Sequence, residues 1–161
     1  MKTLLLYWQE ACSQLIPAAA QALTAQFPLT VVPAAVQEPS LEAFDTARFQ
    51  YDAAWLLREL PQSKHPHESE TPLALWLIKE DISYSGHDYL HGAAWRNLAL
   101  VSTARLGSAE NLHKELCHEA GHLFGLEHCS RPCLMNGSSS QRQLNAKPLH
   151  LCIECSSILA S

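Results

Sequence analysis

Long apolar runs and clusters of like charge are both missing from this sequence of 161 residues. No segment approaches the roughly 18 consecutive apolar residues that a membrane-spanning helix needs. Five consecutive residues of like charge occur nowhere. Lys and Arg total 11 against 16 Asp and Glu, which gives a formal net charge of −5. The chain therefore lacks the basic stripe that would bind a nucleic acid or an anionic membrane surface.

A disorder-promoting composition is missing as well. Hydrophobic residues make up 47% of the chain, and glycine and proline contribute only 6 and 9 residues. This excludes a disordered or collagen-like protein. A chain of this length is predicted to form one domain, residues 1–161, around its own core. Two residue counts are high for a chain of this size, with 9 His and 6 Cys.

The first ten residues, MKTLLLYWQE, carry no recognisable export signal. Their apolar run is shorter than the hydrophobic region of a signal peptide, and Gln9 and Glu10 end it. We therefore expect a cytoplasmic protein in a reducing compartment. In such a compartment cysteines are more often thiols or metal ligands than disulfides.

Apolar runs and helical periods alternate along the chain and predict an α/β fold. The predicted strands are Thr3–Trp8, Leu29–Val32, Pro72–Ile78 and Leu98–Leu106. The predicted helices are Pro17–Phe27, Asp45–Leu60 and Ser108–Phe124. Pro, Gly and polar residues predict loops at 33–39, 61–71 and 81–95, and over most of 125–161. We expect a compact fold with a mixed, mostly parallel twisted sheet of about four strands and packed helices. The tryptophans are expected in the core: Trp8, Trp55, Trp76 and Trp95.

One segment carries most of the chemical information, HEAGHLFGLEH at residues 118–128. On a helix, His118 and His122 are four residues apart, so both imidazoles can reach one metal ion. Glu119 is rotated by about 100° from His118. It lies beside the ligands, where a general base for a zinc-bound water belongs. The spacing predicts a zinc site with Glu119 as the catalytic residue.

A third ligand has to come from beyond the helix. Gly125 has no side chain and can end the helix in a left-handed conformation, so His128 can return to the metal. Three protein ligands leave the fourth position for water, as in catalytic rather than structural zinc sites. A bare HExxH is a weak signal, but Gly125 and His128 extend it to the long metzincin signature.

Two cysteine pairs follow the histidine motif. They are Cys129 with Cys133, and Cys152 with Cys155. Two such pairs can form a closed, structural four-cysteine zinc site. The site would fasten a C-terminal tail that has little apolar content of its own. His87 and His91 are also four residues apart, but glycines flank them and argue against a stable helix. We therefore do not expect that pair to bind a metal.

The motif and the cysteines together resemble an archaemetzincin, a zinc peptidase of the metzincin clan. In that family the long motif is followed at once by Cys, then by C-x-M and C-x-x-C. Here these are Cys129, CLM at 133–135 and CIEC at 152–155. The resemblance implies a metzincin-like fold with the active-site helix under a horizontal cleft and the cysteine-rich tail as the lower lobe. It also implies zinc-dependent peptide-bond hydrolysis, by an endopeptidase or an aminopeptidase.

Residue by residue, the resemblance implies two zinc ions per chain. The implied ligands are His118, His122 and His128 for a catalytic zinc, and Cys129, Cys133, Cys152 and Cys155 for a structural one. Glu119 would be the base, and Gly125 and Met135 would support the site, Met135 as a Met-turn beneath it. We expect residues 1–107 to form a sheet-containing upper part. Residues 108–161 would hold the active-site helix, the Met-turn and the zinc tail.

The cysteine spacing departs from the family pattern in two loops. Three residues rather than four separate Cys129 from Cys133, and the gap of 16 residues between Met135 and Cys152 is about one short. One-residue deletions in loops are well tolerated, so the second zinc is still expected.

The expected partner is a peptide or protein substrate of a monomeric enzyme, with no nucleic acid and no membrane. An extended peptide could pair with the predicted strand Leu98–Leu106 as an added edge strand. Three-histidine metal endoribonucleases share the histidine spacing but typically lack Glu after the first His, and Glu119 and the acidic balance argue against that class. A zinc-stabilised interaction module with little or no turnover stays open, because no residue pattern reports a specificity pocket or a rate.

Overall fold

The computed structural model describes residues 1–61 and 71–161, and a five-stranded sheet runs through its centre. In spatial order the strands are β2 (Leu29–Val36), β1 (Lys2–Trp8), β5 (Leu73–Ile78), β8 (Leu98–Ser102) and β7 (Gly92–Trp95). The first four are parallel to one another, and β7 pairs antiparallel with β8 at the end of the sheet. The mixed, mostly parallel sheet predicted from the sequence is confirmed, with five strands rather than about four.

Strand β5 lies in the middle of this sheet, and all six of its residues are buried. Continuous apolar sequence is typical of a parallel strand that is covered on both faces. Leu75 and Leu77 enter one core, whereas Trp76 and Ile78 enter the other. The protein therefore has a layer of side chains on each side of the sheet.

Helices cover both faces. In the described ranges these are α1 (Ile16–Gln26), α2 (Ala53–Glu59), α3 (Ala109–Leu123), α4 (Gln141–Ala146) and α5 (Ile153–Ala160), with short 3₁₀ turns at Glu10–Leu15 and Leu41–Ala43. Helices α1 and α3 pack on the face that Leu75 enters, and α2 packs on the opposite face. The predicted helices Pro17–Phe27 and Ser108–Phe124 are confirmed to within one residue at each end.

The predicted helix Asp45–Leu60 is wrong in its first half. Asp45 does not cap a helix: its Oδ1 accepts hydrogen bonds from the N–H groups of Ala47 at 2.9 Å and Arg48 at 3.3 Å, which fixes a turn. An aspartate side chain that accepts a hydrogen bond from the backbone N–H two residues later stabilises a turn and competes with helix formation. The cap of α2 is Asp52, whose Oδ1 accepts from the N–H of Trp55 at 2.7 Å.

This turn belongs to a second, smaller sheet. Its strands are β3 (Phe44–Asp45), β4 (Gln50–Asp52) and β6 (Ile82–Ser83), in the order β3-β4-β6. Phe44 and Tyr51 face each other across the hairpin of β3 and β4, with ring centroids 5.1 Å apart. A cross-strand aromatic pair of this kind stabilises strand pairing, so the start of the predicted helix forms a hairpin instead.

Two predicted loops contain strands. Strand β2 continues through Pro33 to Val36 and lies at the edge of the sheet. Proline is tolerated in an edge strand because its missing N–H can face away from the neighbouring strand. The predicted loop 81–95 contains β6 and β7. Strand β8 ends at Ser102 rather than Leu106, and it lies between β5 and β7. The edge of the sheet at this side is therefore β7.

Tryptophan burial is mixed. Trp76 is fully buried, as predicted, but Trp55 and Trp95 are 41% and 46% exposed. The prediction of a core position is therefore wrong for these two residues. Trp55 lies on the outer side of α2, and Trp95 ends the edge strand β7.

The C-terminal segment, predicted to be mostly loop, contains α4 and α5. The buried Lys114 of α3 donates from Nζ to the carbonyls of Leu144 at 3.3 Å and Asn145 at 3.0 Å. The carbonyl of Leu144 also accepts from the backbone N–H of Lys147 at 3.3 Å. Lys114 thereby ties the end of α4 to α3.

Of the predicted loop 61–71, residues 62–70 lie outside the described part of the chain. None of the helices in residues 1–61 and 71–161 has the length and apolar character that a membrane crossing requires.

Candidate metal centre

Helix α3 presents two histidines on one face. The helix begins after Ser108, whose Oγ accepts a hydrogen bond from the N–H of Asn111 at 3.1 Å. Its apolar face, which includes Leu116, is buried in the core. His118 and His122 are one turn apart, and their Nε2 atoms are 3.2 Å from each other.

The chain reverses after α3 and brings a third imidazole to the same point. Gly125 has φ of +85°, the left-handed conformation predicted for this residue. The turn places Nε2 of His128 at 3.3 Å from Nε2 of His118. Nitrogen ligands of a tetrahedral zinc, each about 2.0–2.1 Å from the ion, are about 3.3 Å apart. The three histidines therefore have the spacing that a zinc ion requires.

Backbone carbonyls orient two of the rings. The Nδ1 atom of His118 is 3.0 Å from the carbonyl of Leu134, and Nδ1 of His122 is 2.8 Å from the carbonyl of Leu126. A carbonyl on Nδ1 leaves Nε2 free as the ligand atom. Burial, and after it the charge of Lys147, lower the pKa of His118 to about 3. Its imidazole is thus neutral at pH 7, the form that binds a metal.

Glu119 is buried next to this cluster. Its side chain lies beside that of Glu115, one turn earlier on α3, and against Gly92 of β7. Burial and the neighbouring Glu115 raise the pKa of Glu119 well above its usual value. No hydrogen-bond partner of Glu119 Oε2 is present in the described residues. A buried carboxylate oxygen without a partner is suited to accept a proton from a bound molecule.

Lys147 is the buried cation of the site, and our reading of the sequence missed it. Its Nζ lies 3.1 Å from Nδ1 of His118, and the residue is only 5% exposed. Burial lowers its pKa, and the carboxylates of Glu115 and Glu119 oppose that shift. Lys147 follows α4 in a polar segment without periodicity, so no local signal marks it. Glu115, by contrast, could have been found as a carboxylate four residues before Glu119.

The four cysteines converge as a second group. Their sulfur atoms all lie within 4.8 Å of one another, and Sγ of Cys129 is 3.8 Å from Sγ of Cys152. Sulfur ligands of a tetrahedral zinc, each about 2.3 Å from the ion, are about 3.8 Å apart. Backbone N–H groups of Cys152 and Met135 donate to Sγ of Cys133 at 3.2 and 3.4 Å. The cysteine cluster thus fits a closed zinc site, and the one-residue deletions do not separate its members.

The two clusters are joined by the loop after His128. The N–H of Cys129 donates to the carbonyl of Met135 at 2.9 Å. Met135 is fully buried, and a methyl group added to Gly121 would overlap its sulfur atom. Met135 therefore packs against the turn of α3 that carries Gly121, between His118 and His122.

An open cavity of about 470 Å³ lies above the histidines. Glu119, His122 and His128 line one side of it, and the edge strand β7 lines the other. His87 also lines this cavity, whereas His91 is buried with no hydrogen-bond partner for its ring in the described residues. Neither belongs to the histidine group. The cavity is a cleft in which an extended chain could lie between β7 and the metal centre.

Comparison with known proteins gives consistent results. The family model described as peptidase family M54 matches residues 106–161. An archaemetzincin from Archaeoglobus fulgidus is 34% identical over 135 residues, which cover 79% of this chain and 78% of the relative. An archaemetzincin from Methanopyrus kandleri is 36% identical over 126 residues, 73% of this chain and 70% of the relative. The crystal structure of archaemetzincin from M. kandleri superposes with a TM-score of 0.83 at 28% identity, and the match covers 99% of this chain and 93% of that one.

Proposed function

The chain belongs to the archaemetzincins, peptidase family M54, and from this membership we propose how its residues divide the hydrolysis of a peptide bond. As a member of that family it is a zinc-dependent metallopeptidase, whose substrates are peptides or proteins. The resemblance that we inferred from the motif and the cysteines is confirmed. The roles of individual residues are the subject of the proposal.

We assign the catalytic zinc to His118, His122 and His128. The observation that carries this assignment is the convergence of their Nε2 atoms at 3.2 and 3.3 Å. We assign the structural zinc to Cys129, Cys133, Cys152 and Cys155. The histidine group leaves one position of a tetrahedral ion open to the cleft, and the cysteine group leaves none.

A zinc ion held by His118, His122 and His128 would supply a Lewis acid for the scissile carbonyl and the attacking water. Glu119 takes a proton from the attacking water at its carboxylate and passes it to the departing amine. Glu115 and Gly92 hold the Glu119 side chain, and Lys147 supplies a positive charge that limits the rise in its pKa. Met135 supports α3 from beneath through its contact with Gly121.

The substrate lies along β7 as an added edge strand. The strand predicted for this role from the sequence, Leu98–Leu106, corresponds to β8, which already pairs with a strand on each side. Strand β7 pairs with β8 on one side and lines the cleft with the other. Backbone hydrogen bonds to a sheet edge bind a peptide independently of its sequence.

Both metal groups and the cleft are formed by one chain, and we infer that the enzyme is a monomer with one domain, residues 1–161. Residues 1–107 form the upper part with the sheet, and 108–161 form the part with the metal ligands. Four cysteines can bind zinc only as thiolates, which favours a reducing compartment such as the cytoplasm. The acidic net charge gives no support to a nucleic acid as substrate.

Metal content tests the assignment directly. We expect about two zinc ions per chain in the wild type, about one in His128→Ala, and about one in Cys133→Ser. In the wild type, a chelator should readily remove the zinc at the histidines, because that site is open. Of the two variants, only His128→Ala should lack this readily removed zinc. His113→Ala, on the same helix but outside the histidine group, is the matched control and should retain both ions. A His128→Ala protein that retains two zinc ions would contradict the assignment.

A further inference from the structure

A second groove adjoins the cleft on the other face of the sheet. It has a volume of about 450 Å³ and lies between α2 and β7. Ala54 and Leu57 form its wall on α2, and Ala93 forms its floor on β7. Tyr84 and Trp95 stand at its rim with 50% and 46% of their surfaces exposed. Large aromatic surfaces left open beside a cleft are typical of binding sites.

The groove and the cleft are continuous across the edge strand. Both are lined by Tyr84, Ala93, Ala94 and Trp95. Successive residues of β7 face opposite sides of the sheet. Ala94 packs toward the core under α3, as Gly92 does toward Glu119, whereas Ala93 packs toward the core under α2.

We propose that this groove is a substrate subsite for one large apolar side chain. The inference rests on the proposed function, in which a peptide lies extended along β7. Side chains of such a peptide alternate between the two faces. Those on one face point to the histidines and Glu119. A side chain on the other face enters the groove between Leu57 and Ala93.

The chemistry of the lining selects the side chain. The alanines on α2 and on β7 have small side chains and leave space for a large group of the substrate. Leu57, Tyr84 and Trp95 offer apolar contact to an aromatic or branched aliphatic side chain. Among the described residues that line the groove, Arg58 carries the only charge. A lysine or arginine of the substrate would meet a like charge there without a carboxylate to pair with. The groove therefore favours Phe, Tyr or Leu and disfavours basic residues.

A peptide library with every residue varied in turn tests this subsite. The zinc-loaded wild type should cleave peptides with Phe or Leu at one fixed position roughly tenfold faster, in kcat/KM, than peptides with Ala there. Ala54→Phe fills the groove from the half-buried face of α2, and it should reduce this ratio to about 1. Ala20→Phe makes the same change on the half-buried side of α1, far from the groove, and should keep the ratio. Glu119→Gln runs alongside to identify cuts made by this site.

Each of the other outcomes of this experiment overturns either the subsite alone or the subsite together with the proposed function. Cleavage that depends on Glu119 but shows no apolar preference at any position would overturn the subsite and leave the proposed function in place. An apolar preference that Ala54→Phe leaves unchanged would also overturn the subsite. Absence of any cleavage that depends on Glu119 would overturn the proposed function and the subsite together.

Discussion

A methyl group at Gly92 tests how Glu119 is held. The Cβ atom of an alanine there would lie 2.7 Å from Cγ of Glu119, 2.8 Å from its Oε1 and 2.9 Å from Oε1 of Glu115. Ordinary carbon contacts begin at about 3.5 Å. Glu119 must therefore move by on the order of 1 Å. A displacement of that size in a catalytic group costs about 100-fold in rate, or about 2.7 kcal/mol of transition-state stabilisation.

The fold should tolerate this change. Gly92 does not have the positive φ that favours glycine, and alanine in a strand gives up less backbone freedom on folding than glycine does. We expect Gly92→Ala to reduce kcat/KM about 100-fold while circular dichroism, melting temperature and zinc content stay near those of the wild type. The assay is cleavage of a quenched fluorescent peptide by the zinc-loaded protein.

Gly137→Ala is the matched control for this experiment. Its Cβ would be 3.8 Å from Nδ1 of His128, an ordinary contact beside the same metal centre. This variant should keep the wild-type kcat/KM. If Gly92→Ala is as active as Gly137→Ala, then Glu119 does not act from its place against β7 and the reasoning is refuted.

Further predictions concern stability and pH. Gly125→Ala meets no atom within 4 Å but must adopt φ near +85°, so it should lose about 1 kcal/mol of unfolding free energy in urea titrations of the zinc-loaded protein. Partial burial alone would raise the pKa of Asp81, but hydrogen bonds, first of all those from Arg105, hold it below its usual 3.8. The ion pair thus stabilises the fold above that pH and is lost as the pH falls below it. Asp81→Asn should flatten this acid dependence in thermal melts, and an unchanged slope would contradict it. Burial raises the pKa of Glu119, and the charge of Lys147 counteracts that rise. Lys147→Met should therefore move the acid limb of the kcat/KM profile to higher pH. A shift to lower pH would refute the role given to Lys147.

The metal centre was the part of the molecule most open to prediction from sequence. His118 and His122 are placed by helix geometry alone, and Gly125 needs only its left-handed conformation to bring His128 back to these two imidazoles. Both effects are local, acting within α3 and the turn that follows it. The central strand β5 was equally predictable, because a short continuous apolar run between turn residues is typical of a strand buried on both faces.

What could not be predicted depends on contacts between distant segments. Asp45 and Asp52 are both capable N-caps, and only the pairing of β4 with β6 decides that the helix starts after the second. Strand β7 is short and contains Gly and Ala, so its strand character comes from β8 beside it. Lys147 reaches His118 only because α4 packs on α3. Such positions carry no periodic signal.

Peptide cleavage by the zinc-loaded protein tests the central claim most directly. A mixed peptide library is incubated with the wild type, with Glu119→Gln, and with Glu127→Gln, which changes an exposed glutamate of the same motif. We predict that the wild type and Glu127→Gln make the same cuts, as read by mass spectrometry. Glu119→Gln should make them roughly 10²- to 10⁴-fold more slowly with its zinc content intact. Equal cleavage by Glu119→Gln, or no cleavage by a wild type that carries both zinc ions, would contradict the account.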